Sequence, residues 1–564
     1  GKGRGLAFVD SIIKKNPVCD NFHGATISIP RTVVLCTDIF DEFMADNRLY
    51  PTALNDAPDE EILEHFLAAK LPERLNDDLL ALFEVVDRPL AVRSSSLLED
   101  SHYQPFAGIY STYMVPFTTD RQVRLRQLTD AIKGVYASVF FRAGKAYMSA
   151  TSNVIDQEKM AVIIQEVVGE NYADCYFPNF SGVGRSLNYY PLGDEQPADG
   201  VAEVAVGLGK YIVDGGLALR FCPRYPGKVL QTSTLDLALR QTQTSLCALP
   251  TDINPEGRIT PDDSHNIVTR PVQEFASTGA LRYIASTYDA RDGILKDYEE
   301  GNGRRVITFN NVLRDNVFPL AKAVDFMLSE GQAAMQRPVE IEFAGLISPT
   351  ASSSPVDKGH IYWLQIRPII DPKGMITDNM LDVPPERLLL RSTTAIGHGS
   401  VEGVRHVVYI IPENFDSSNN RALVERIAAI NRDFTACGEG YVLIGPGRWG
   451  SSDPALGIPV KWADISAARV IVESDLENYR VEPSQGTHFF HNLTSFGVGY
   501  LTVSPSVKGS VCDYGRLAAA PVVSDDGAIR VLRFDNPLFI AINGRKGLGV
   551  IALPDDGPKP NHIP

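Results

Sequence analysis

The chain has 564 residues, 44% of them hydrophobic and 22% charged, which predicts a globular protein of two to four domains. Its net charge of −16 argues against general binding of nucleic acids or anionic membranes, and no apolar run is long enough to span a bilayer. Seven scattered cysteines, an odd number without a CxxC pair, favour a reduced, cytoplasmic protein.

The first segment, GKGRGLAF, is predicted to form a glycine-rich turn with Lys2, followed by the start of a helix. Closely spaced glycines let backbone N–H groups approach a phosphate, and a lysine adds positive charge. A basic chain terminus is the alternative interpretation. Because the sequence begins at Gly1 without a methionine, we expect a fragment of a longer protein.

Residues 26–44 predict a strand, a proline-marked turn and a helix, and two acidic amphipathic helices are expected near Glu60–Lys70 and Glu73–Val85. A short apolar strand then delivers Arg93 into a run of three serines. An arginine at a strand end beside a hydroxyl-rich loop is suited to hold a phosphate. A serine-rich surface loop is the alternative.

Apolar periodicity predicts the next elements. Met160–Val168 is nearly all apolar and β-branched, which predicts a buried strand in which Glu166 needs a partner. Strands that alternate with helices indicate an α/β or α+β core with a nucleotide cleft. Two helices are predicted from stripes spaced three and four apart, namely Leu125, Leu128, Ile132, Val135 and Val139, and Leu320, Val324, Met327 and Leu328.

Residues 338–370 predict a hairpin with a long Ser/Pro/Gly-rich loop. Residues two apart in a strand share a face, so Glu340 and Glu342 are predicted to lie together, as are Gln365 and Arg367. If the two arms pair, one sheet face carries groups that suit Mg²⁺ and a nucleotide triphosphate. A solvated face of an antiparallel sheet is the alternative. The opposite, buried face is predicted to carry Ile341, Phe343, Leu364 and Ile366.

The segment AVRSSSLLEDSHYQPFAGIYST resembles the nucleotide-loop signature of the pyruvate phosphate dikinase and phosphoenolpyruvate synthase family. Other segments follow the family's order: GKGRGLAF before it, then MAVIIQEVV, SGVGRSLNYYP, EVAVGLGKYIVDGG and EIEF…LQIRP. This resemblance implies an α+β fold with an N-terminal ATP-grasp domain over residues 1–370, which binds ATP and Mg²⁺.

The resemblance also implies roles for single residues. Lys2, Arg93 and Arg367 are implied as contacts to the ATP phosphates, Arg93 and Arg367 also as catalytic residues, and Gln365 is implied to face the phosphates. The other implied residues are Glu340, Glu342 and Gln365 toward the metal, Gln165, Glu166 and Val168 on the strand that binds adenine through its backbone, and Glu203 in the same cleft.

After the first domain, residues 371–390 are predicted to be a Pro/Gly/Asp-rich linker. Residues 391–505 more faintly resemble the family's swivelling domain, a smaller β-rich α/β domain with a phosphate-accepting histidine. Residues 506–564 are predicted to be a β-rich extension.

The segment QGTHFFHNLTSFGVGYLTV resembles the histidine loop of that domain, which implies His488 as the phosphoryl acceptor and His491 as the next candidate. The phenylalanines that follow His488 depart from the family's small residues, and the arginine that follows in the family is absent. His398 and His406 flank a different glycine loop and are weaker candidates.

The resemblance implies an ATP-dependent phosphotransferase of the dikinase type, with a histidine or another, unidentified acceptor. The family's pyruvate-handling barrel does not fit the last sixty or so residues, so a complete phosphoenolpyruvate synthase is not expected. Direct phosphorylation of a small molecule is one alternative. A non-catalytic nucleotide-binding regulatory or partner-binding module is the other, and retention of the polar set argues against it.

Overall fold

A computed structural model describes residues 1–96, 108–150, 158–188, 194–252, 257–262, 264–297, 303–369, 381–396, 398–451, 453, 456–476, 498–544 and 546–554. The chain divides into two compact units, Gly1–Ile369 and Ile370–Pro564. Among the helices in these ranges, none combines the length and the apolar character that a membrane crossing requires.

The first unit mixes helices and several sheets, and this confirms the predicted α+β class, consistent with an ATP-grasp-like domain. Its described helices are α1 (Lys2–Lys15), α2 (Thr37–Asp46), α3 (Tyr50–Ala53), α4 (Asp59–Ala68), α5 (Arg74–Leu82), α6 (Arg121–Ser138), α7 (Arg142–Ala150), α8 (Lys210–Val213), α9 (Leu235–Arg240), α10 (Asn310–Leu313) and α11 (Leu320–Met335). The two acidic helices and both apolar stripes that the sequence predicted therefore form helices.

The strands of the first unit build four sheets. The described strands are β1 (Ala25–Ser28), β2 (Thr32–Leu35), β3 (Leu90–Ser96), β4 (Thr112–Val115), β5 (Met160–Glu166), β6 (Glu170–Tyr172), β7 (Cys175–Phe177), β8 (Phe180–Arg185), β9 (Val201–Ala205), β10 (Leu219–Phe221), β11 (Ser245–Pro250), β12 (Val268–Pro271), β13 (Ala285–Asp289), β14 (Ile294–Lys296), β15 (Arg304–Ile307), β16 (Val339–Ile347) and β17 (Gly359–Pro368). Their orders are β1-β17-β16-β8-β9-β10, β2-β5-β3-β4, β12-β11-β7-β6 and β14-β13-β15.

The main core lies on one face of the six-stranded sheet. Val9 of α1 and Val324 and Met327 of α11 belong to the same buried cluster as Ile341 of β16 and Trp363 of β17. Alternation along each strand sends these apolar side chains to the core and their polar neighbours to the other face.

The predicted hairpin is confirmed, because β16 and β17 pair antiparallel with Glu340 opposite Arg367 and Glu342 opposite Gln365. A bulge shifts the register after Glu342, so that Leu364 has no partner across the ladder. Leu364 therefore packs with Ala344 and Leu346 on the polar face. The prediction that Leu364 lies on the buried face of the sheet, away from Gln365, is wrong.

Two local predictions near the start of the chain are also wrong. The opening glycines do not form a turn, since α1 begins at Lys2 and Gly1 caps it. A β-carbon on Gly1 would lie 2.4 Å from the carbonyl oxygen of Ser96, so close approach of backbones explains the glycine there. Arg93 is not at a strand end, because β3 continues through Ser96.

The described strands of the second unit build a larger sheet, a smaller sheet and a separate pair of strands. Its described helices are α12 (Asn420–Cys437) and α13 (Tyr514–Ala519), and its described strands are β18 (Leu388–Ser392), β19 (Thr394–Ile396), β20 (His398–Ser400), β21 (His406–Ile410), β22 (Tyr441–Pro446), β23 (Arg448–Trp449), β24 (Gly457–Ile458), β25 (Ala468–Ser474), β26 (Gly499–Val503), β27 (Val511–Cys512), β28 (Val522–Asp525), β29 (Ile529–Arg533), β30 (Phe539–Asn543) and β31 (Leu548–Ala552). The larger sheet has the order β19-β26-β25-β22-β21-β29-β28, the smaller sheet has the order β20-β30-β31-β18-β27, and β23 pairs with β24.

Within the larger sheet, β21, β22, β25 and β26 run parallel. Apolar residues of these strands, such as Val442 and Val472, share a core with Ile540 and Ile551 of the smaller sheet. Strands near the chain end also pair with earlier ones, β29 with β21 and β31 with β18. The division of this unit into a linker, a swivelling-like domain and an extension stays a proposal.

Candidate functional site

The polar side chains of the hairpin lie on the face of the six-stranded sheet that is opposite the main core. Glu340 is 1% exposed, Gln365 2% and Arg367 4%. The alternative of a solvated sheet face is therefore wrong for these positions. Charged groups this deeply buried need partners, because their transfer out of water is costly.

One set of partners joins this sheet to the four-stranded sheet β2-β5-β3-β4. Arg93 of β3 donates from Nη2 to Gln365 Oε1 at 2.8 Å and to Glu342 Oε2 at 3.0 Å. Its Nη1 lies 3.4 Å from Gln165 Oε1, and Gln165 donates in turn to Thr32 Oγ1 at 3.0 Å. Arg93, Gln165, Glu342 and Gln365 therefore form one cluster, which we call the Arg93 cluster.

Strand geometry explains why Arg93 and Gln165 meet. Arg93 lies opposite Ile163 in the antiparallel pair of β3 and β5, and Gln165 follows Ile163 by two residues. Residues two apart share a face, so both polar side chains project from the same side of their sheet. The residues on either side of Arg93, Val92 and Ser94, are buried, and the Arg93 guanidinium reaches β16 and β17 of the facing sheet.

A second set of partners crosses three neighbouring strands. Glu340 of β16 lies opposite Arg367 of β17 on one side and Arg185 of β8 on the other. Its Oε1 accepts from Arg367 Nε at 2.6 Å, and its Oε2 accepts from Arg185 Nε at 2.5 Å. The side chains of both arginines are 4% exposed. We call these three residues the Arg–Glu–Arg row.

Other predicted residues lie around these two groups. Lys2 is buried and its ammonium is 3.3 Å from Ser94 Oγ, beside β3. Glu203 of β9 lies on the same sheet face as Glu342 but two strands away, because Val183 of β8 stands opposite both. The structure therefore places Glu203 on the same face as the Arg93 cluster, two strands from Glu342.

The strand predicted to bind adenine is β5, which lies between β2 and β3 and ends at Glu166, two residues before the predicted Val168. Glu166 has the partner that its burial requires, since its carboxylate is 3.8 Å from Arg31 Nη1. The carbonyl of Val167 accepts from the hydroxyl of Tyr176 at 2.9 Å, and burial raises the pKa of that phenol so that it keeps its proton. Val168 packs against Ala344 of β16, on the polar face of the six-stranded sheet.

The histidine predictions fall in the second unit. His488 and His491 lie outside the described residues. His406 is buried in β21, with Nδ1 3.4 Å from Glu439 and its ring edge-on to Phe434, and burial lowers its pKa. These contacts fit a packing histidine. His398 is in β20, opposite Asn543.

Arg185 was not among the predicted site residues. The signal was present, because Ser181, Val183 and Arg185 alternate with Gly182 and Gly184 in a six-residue strand. That alternation sends Arg185 to the same face as Glu340. No pattern in a single strand, however, identifies the carboxylate that will stand opposite.

The fold and the site together define an α+β domain. In it, the six-stranded sheet and the sheet β2-β5-β3-β4 meet over a buried, arginine-rich polar face. The family described as "Pyruvate phosphate dikinase, AMP/ATP-binding domain" matches residues 1–375, about two thirds of the chain. The chain therefore belongs to that family, and the predicted resemblance is confirmed for the first unit.

One curated relative adds to this finding. The chain is 26% identical over 198 residues to "Uncharacterized phosphotransferase YvkC" of Bacillus subtilis (strain 168). The aligned part is 35% of this chain and 21% of the relative, so the match spans about a fifth of the relative's length.

Proposed function

We propose that the first unit binds Mg–ATP over the polar face of the six-stranded sheet and that the chain is an ATP-dependent phosphotransferase. The observation that carries this proposal is the convergence of Arg93, Arg185 and Arg367 on two carboxylates, Glu340 and Glu342. These five groups carry a net positive charge, within a chain whose net charge is −16. A buried guanidinium cluster of this kind favours a polyanion such as a triphosphate.

Arg93 and Arg367 are the proposed phosphate contacts. Arg93 comes from one sheet and Arg367 from the other, so a phosphate chain between the sheets would meet a guanidinium on each side. Gln165 accepts a hydrogen bond from Arg93 Nη1 and donates one to Thr32, so it orients the Arg93 guanidinium. The ammonium of Lys2 adds a further positive group near β3. Preorganised positive groups of this kind are the main means by which proteins stabilise phosphoryl transfer.

The donor set also fits Mg²⁺. Glu342 and Gln365 present oxygens that both contact the same Arg93 nitrogen, so they lie close to each other. Mg²⁺ takes carboxylate and carbonyl oxygens, and it commonly uses one or two carboxylates together with substrate phosphates. Both oxygens of Glu340 accept from arginines, so Glu340 is the weakest candidate among the three predicted Mg²⁺ ligands.

A bound Mg²⁺ would offset the negative charge of the phosphate oxygens. Before it binds, Arg93 neutralises Glu342. Transfer of the guanidinium from Glu342 to a phosphate oxygen would leave the carboxylate for the metal and keep every charge paired. Within the described residues, no group of three or more His, Cys, Asp or Glu side chains is arranged to hold a metal ion.

The adenine is proposed to lie along residues 165–168, the end of β5 and the two residues after it, where Gln165, Glu166 and Val168 are the predicted contacts, with Glu203 in the same cleft. The proposed acceptor is His488 in the second unit, as the resemblance to the swivelling domain implies. The name of the Bacillus relative supports phosphoryl transfer as the reaction class. Direct transfer to a small molecule is the second form of the same proposal.

Phosphorus NMR of ATP with stoichiometric protein and Mg²⁺ tests the reaction. AMP as the product indicates transfer that involves the β-phosphoryl group, and ADP indicates kinase chemistry. Arg367→Ala should weaken ATP binding by roughly 2–4 kcal/mol, the range for truncation of a buried charged contact. The matched control is Arg240→Ala, because Arg240 is exposed and pairs with Asp236, four residues earlier on the same short helix. Equal ATP affinity for wild type and Arg367→Ala would contradict the proposed site.

A further inference from the structure

The Arg–Glu–Arg row has a residue without a role in the proposed reaction, namely Arg185. Its guanidinium donates to Glu340 at 2.5 Å, on the side opposite Arg367. The backbone next to it is fixed, because Ser186 N donates to Val339 O and Val339 N donates to Ser186 Oγ, both at 2.9 Å. Arg185 is therefore held rigidly beside Glu340.

We infer that Arg185 is a positioning residue that keeps Arg367 oriented and cationic toward the phosphates, by sharing the charge of Glu340. This inference rests on the proposed ATP site. It assigns the specificity for nucleoside polyphosphates over monophosphates partly to a residue that acts through Glu340.

The electrostatic reason follows from the row's composition. One carboxylate between two guanidiniums leaves the row with one net positive charge. Without Arg185, Glu340 and Arg367 form a neutral pair, and the attraction of Arg367 for a phosphate falls. In a buried site that attraction is screened little by solvent. The loss of binding free energy therefore increases with the number of phosphate charges on the nucleotide.

The orienting reason follows from the hydrogen bonds. Nε and Nη2 of Arg367 both donate to one oxygen of Glu340, Oε1, while Oε2 accepts from Arg185. If Arg185 is removed, Oε2 loses that donor, and a bidentate pair in which each oxygen accepts from a different nitrogen of Arg367 becomes the best remaining geometry. The guanidinium of Arg367 would then rotate out of the orientation in which it faces the proposed phosphate site.

A purely structural ion row is the competing explanation. Removal of one partner from a buried ion pair destabilises a protein whether or not a ligand binds nearby. Such a role lowers the stability of the fold and weakens all nucleotides alike. The role inferred here weakens them in proportion to their phosphate charge, so the two explanations differ in a measurable ratio.

The test is isothermal titration of AMP, ADP and ATP, with Mg²⁺, against the full chain and its variants. Arg185→Met removes the charge and keeps apolar bulk, and Arg185→Gln removes the charge but retains a donor for Glu340. In both, the ratio of the AMP to the ATP dissociation constant is expected to fall by about ten-fold, the effect of one lost charge contact. Arg185→Lys restores the charge and should restore most of the ratio.

Arg530→Met is the matched control. Arg530 lies in β29 of the second unit and its side chain, 22% exposed, donates from Nε to Asp525 Oδ2 at 2.7 Å, so its removal also breaks a partly shielded ion pair. The control should lower thermal stability without changing the ratio. If Arg185→Met does not fold, Arg185→Gln carries the comparison.

An unchanged ratio in a folded Arg185→Met or Arg185→Gln variant would overturn the inference. Failure of the proposed ATP site has a different signature, since wild type would then bind ATP no more tightly than AMP. If the ratio of the AMP to the ATP dissociation constant is large in wild type and equally large in the variants, the inferred role of Arg185 is wrong and the proposed ATP site is not.

Discussion

The guanidinium of Arg93 lies 2.8 Å from the carboxamide oxygen of Gln365, although 272 positions separate the two residues along the chain. Arg93 belongs to the four-stranded sheet and Gln365 to the six-stranded sheet, so this bond joins the two sheets across the proposed nucleotide cleft. The same guanidinium nitrogen also contacts Glu342. Arg93 therefore sits where a ligand that enters between the sheets must compete with two protein oxygens.

We expect Arg93→Lys to lower ATP affinity by about ten-fold, although it conserves charge. A lysine offers a point charge on a flexible stem and cannot contact Glu342, Gln365 and Gln165 with one planar group. Titration calorimetry at fixed Mg²⁺ measures the change. Arg240→Lys, at an exposed helix position, is the control, and equal losses in both variants would count against a specific role for Arg93.

The second prediction concerns the metal. Glu342→Gln should reduce the Mg²⁺ dependence of ATP binding, because the amide keeps the shape of the side chain and removes its charge. The measured quantity is the ratio of ATP affinities with and without Mg²⁺, expected to fall by about ten-fold or more. Glu340→Gln is the comparison, since Glu340 is engaged with two arginines. A larger loss of Mg²⁺ dependence in Glu340→Gln than in Glu342→Gln would reverse the assignment of the ligands.

The third prediction is a pH dependence in the second unit. Glu473 of β25 is buried and accepts from the backbone N–H of Trp449 at 2.9 Å, and burial raises its pKa from 4.5 to about 7. Between pH 4.5 and 7, the folded state therefore keeps a proton that the unfolded state has already released. Stability of this unit should decline as the pH rises through that window and level off above it.

Glu473→Gln should remove this decline and gain at most roughly 3 kcal/mol over wild type by pH 8. Urea unfolding followed by tryptophan fluorescence measures the difference. A Trp363→Phe background confines the signal to the second unit, because the other two tryptophans, Trp449 and Trp462, both lie there. Parallel stability curves for the two proteins from pH 5 to 8 would show that Glu473 does not titrate in this range.

The fourth prediction concerns the proposed acceptor. Incubation with β-³²P ATP should give a protein label that is acid-labile and base-stable, as for phosphohistidine, because imidazole nitrogen is a competent nucleophile for phosphoryl transfer. His488→Ala should abolish the label and His406→Ala should leave it, since His406 is a packed core residue. Label that survives in His488→Ala would move the assignment to His491 or another acceptor. Absence of label in wild type with both β-³²P and γ-³²P ATP would contradict a phosphohistidine and favour a small-molecule acceptor.

Local patterns in the sequence were sufficient for the elements and for part of the site. The two-residue alternation of Glu340 and Glu342, and of Gln365 and Arg367, fixed which side chains share a face, because strand geometry is set by the backbone alone. Apolar stripes likewise determined helices such as α6 and α11. The motif order determined the family of the first unit.

Only the tertiary structure decided which charges meet. Arg93 pairs with Glu342 and Gln365, and Arg185 with Glu340, across strands distant in sequence, and nothing local to any of them names its partner. The tertiary structure also decided the position of Leu364, because a bulge in the pairing of β16 and β17 moved it to the polar face. It likewise decided the start of α1, where Gly1 lies too close to Ser96 of β3 to carry a side chain. Hydrophobic periodicity is a property of one segment, whereas burial of a charge is decided by the segment packed against it.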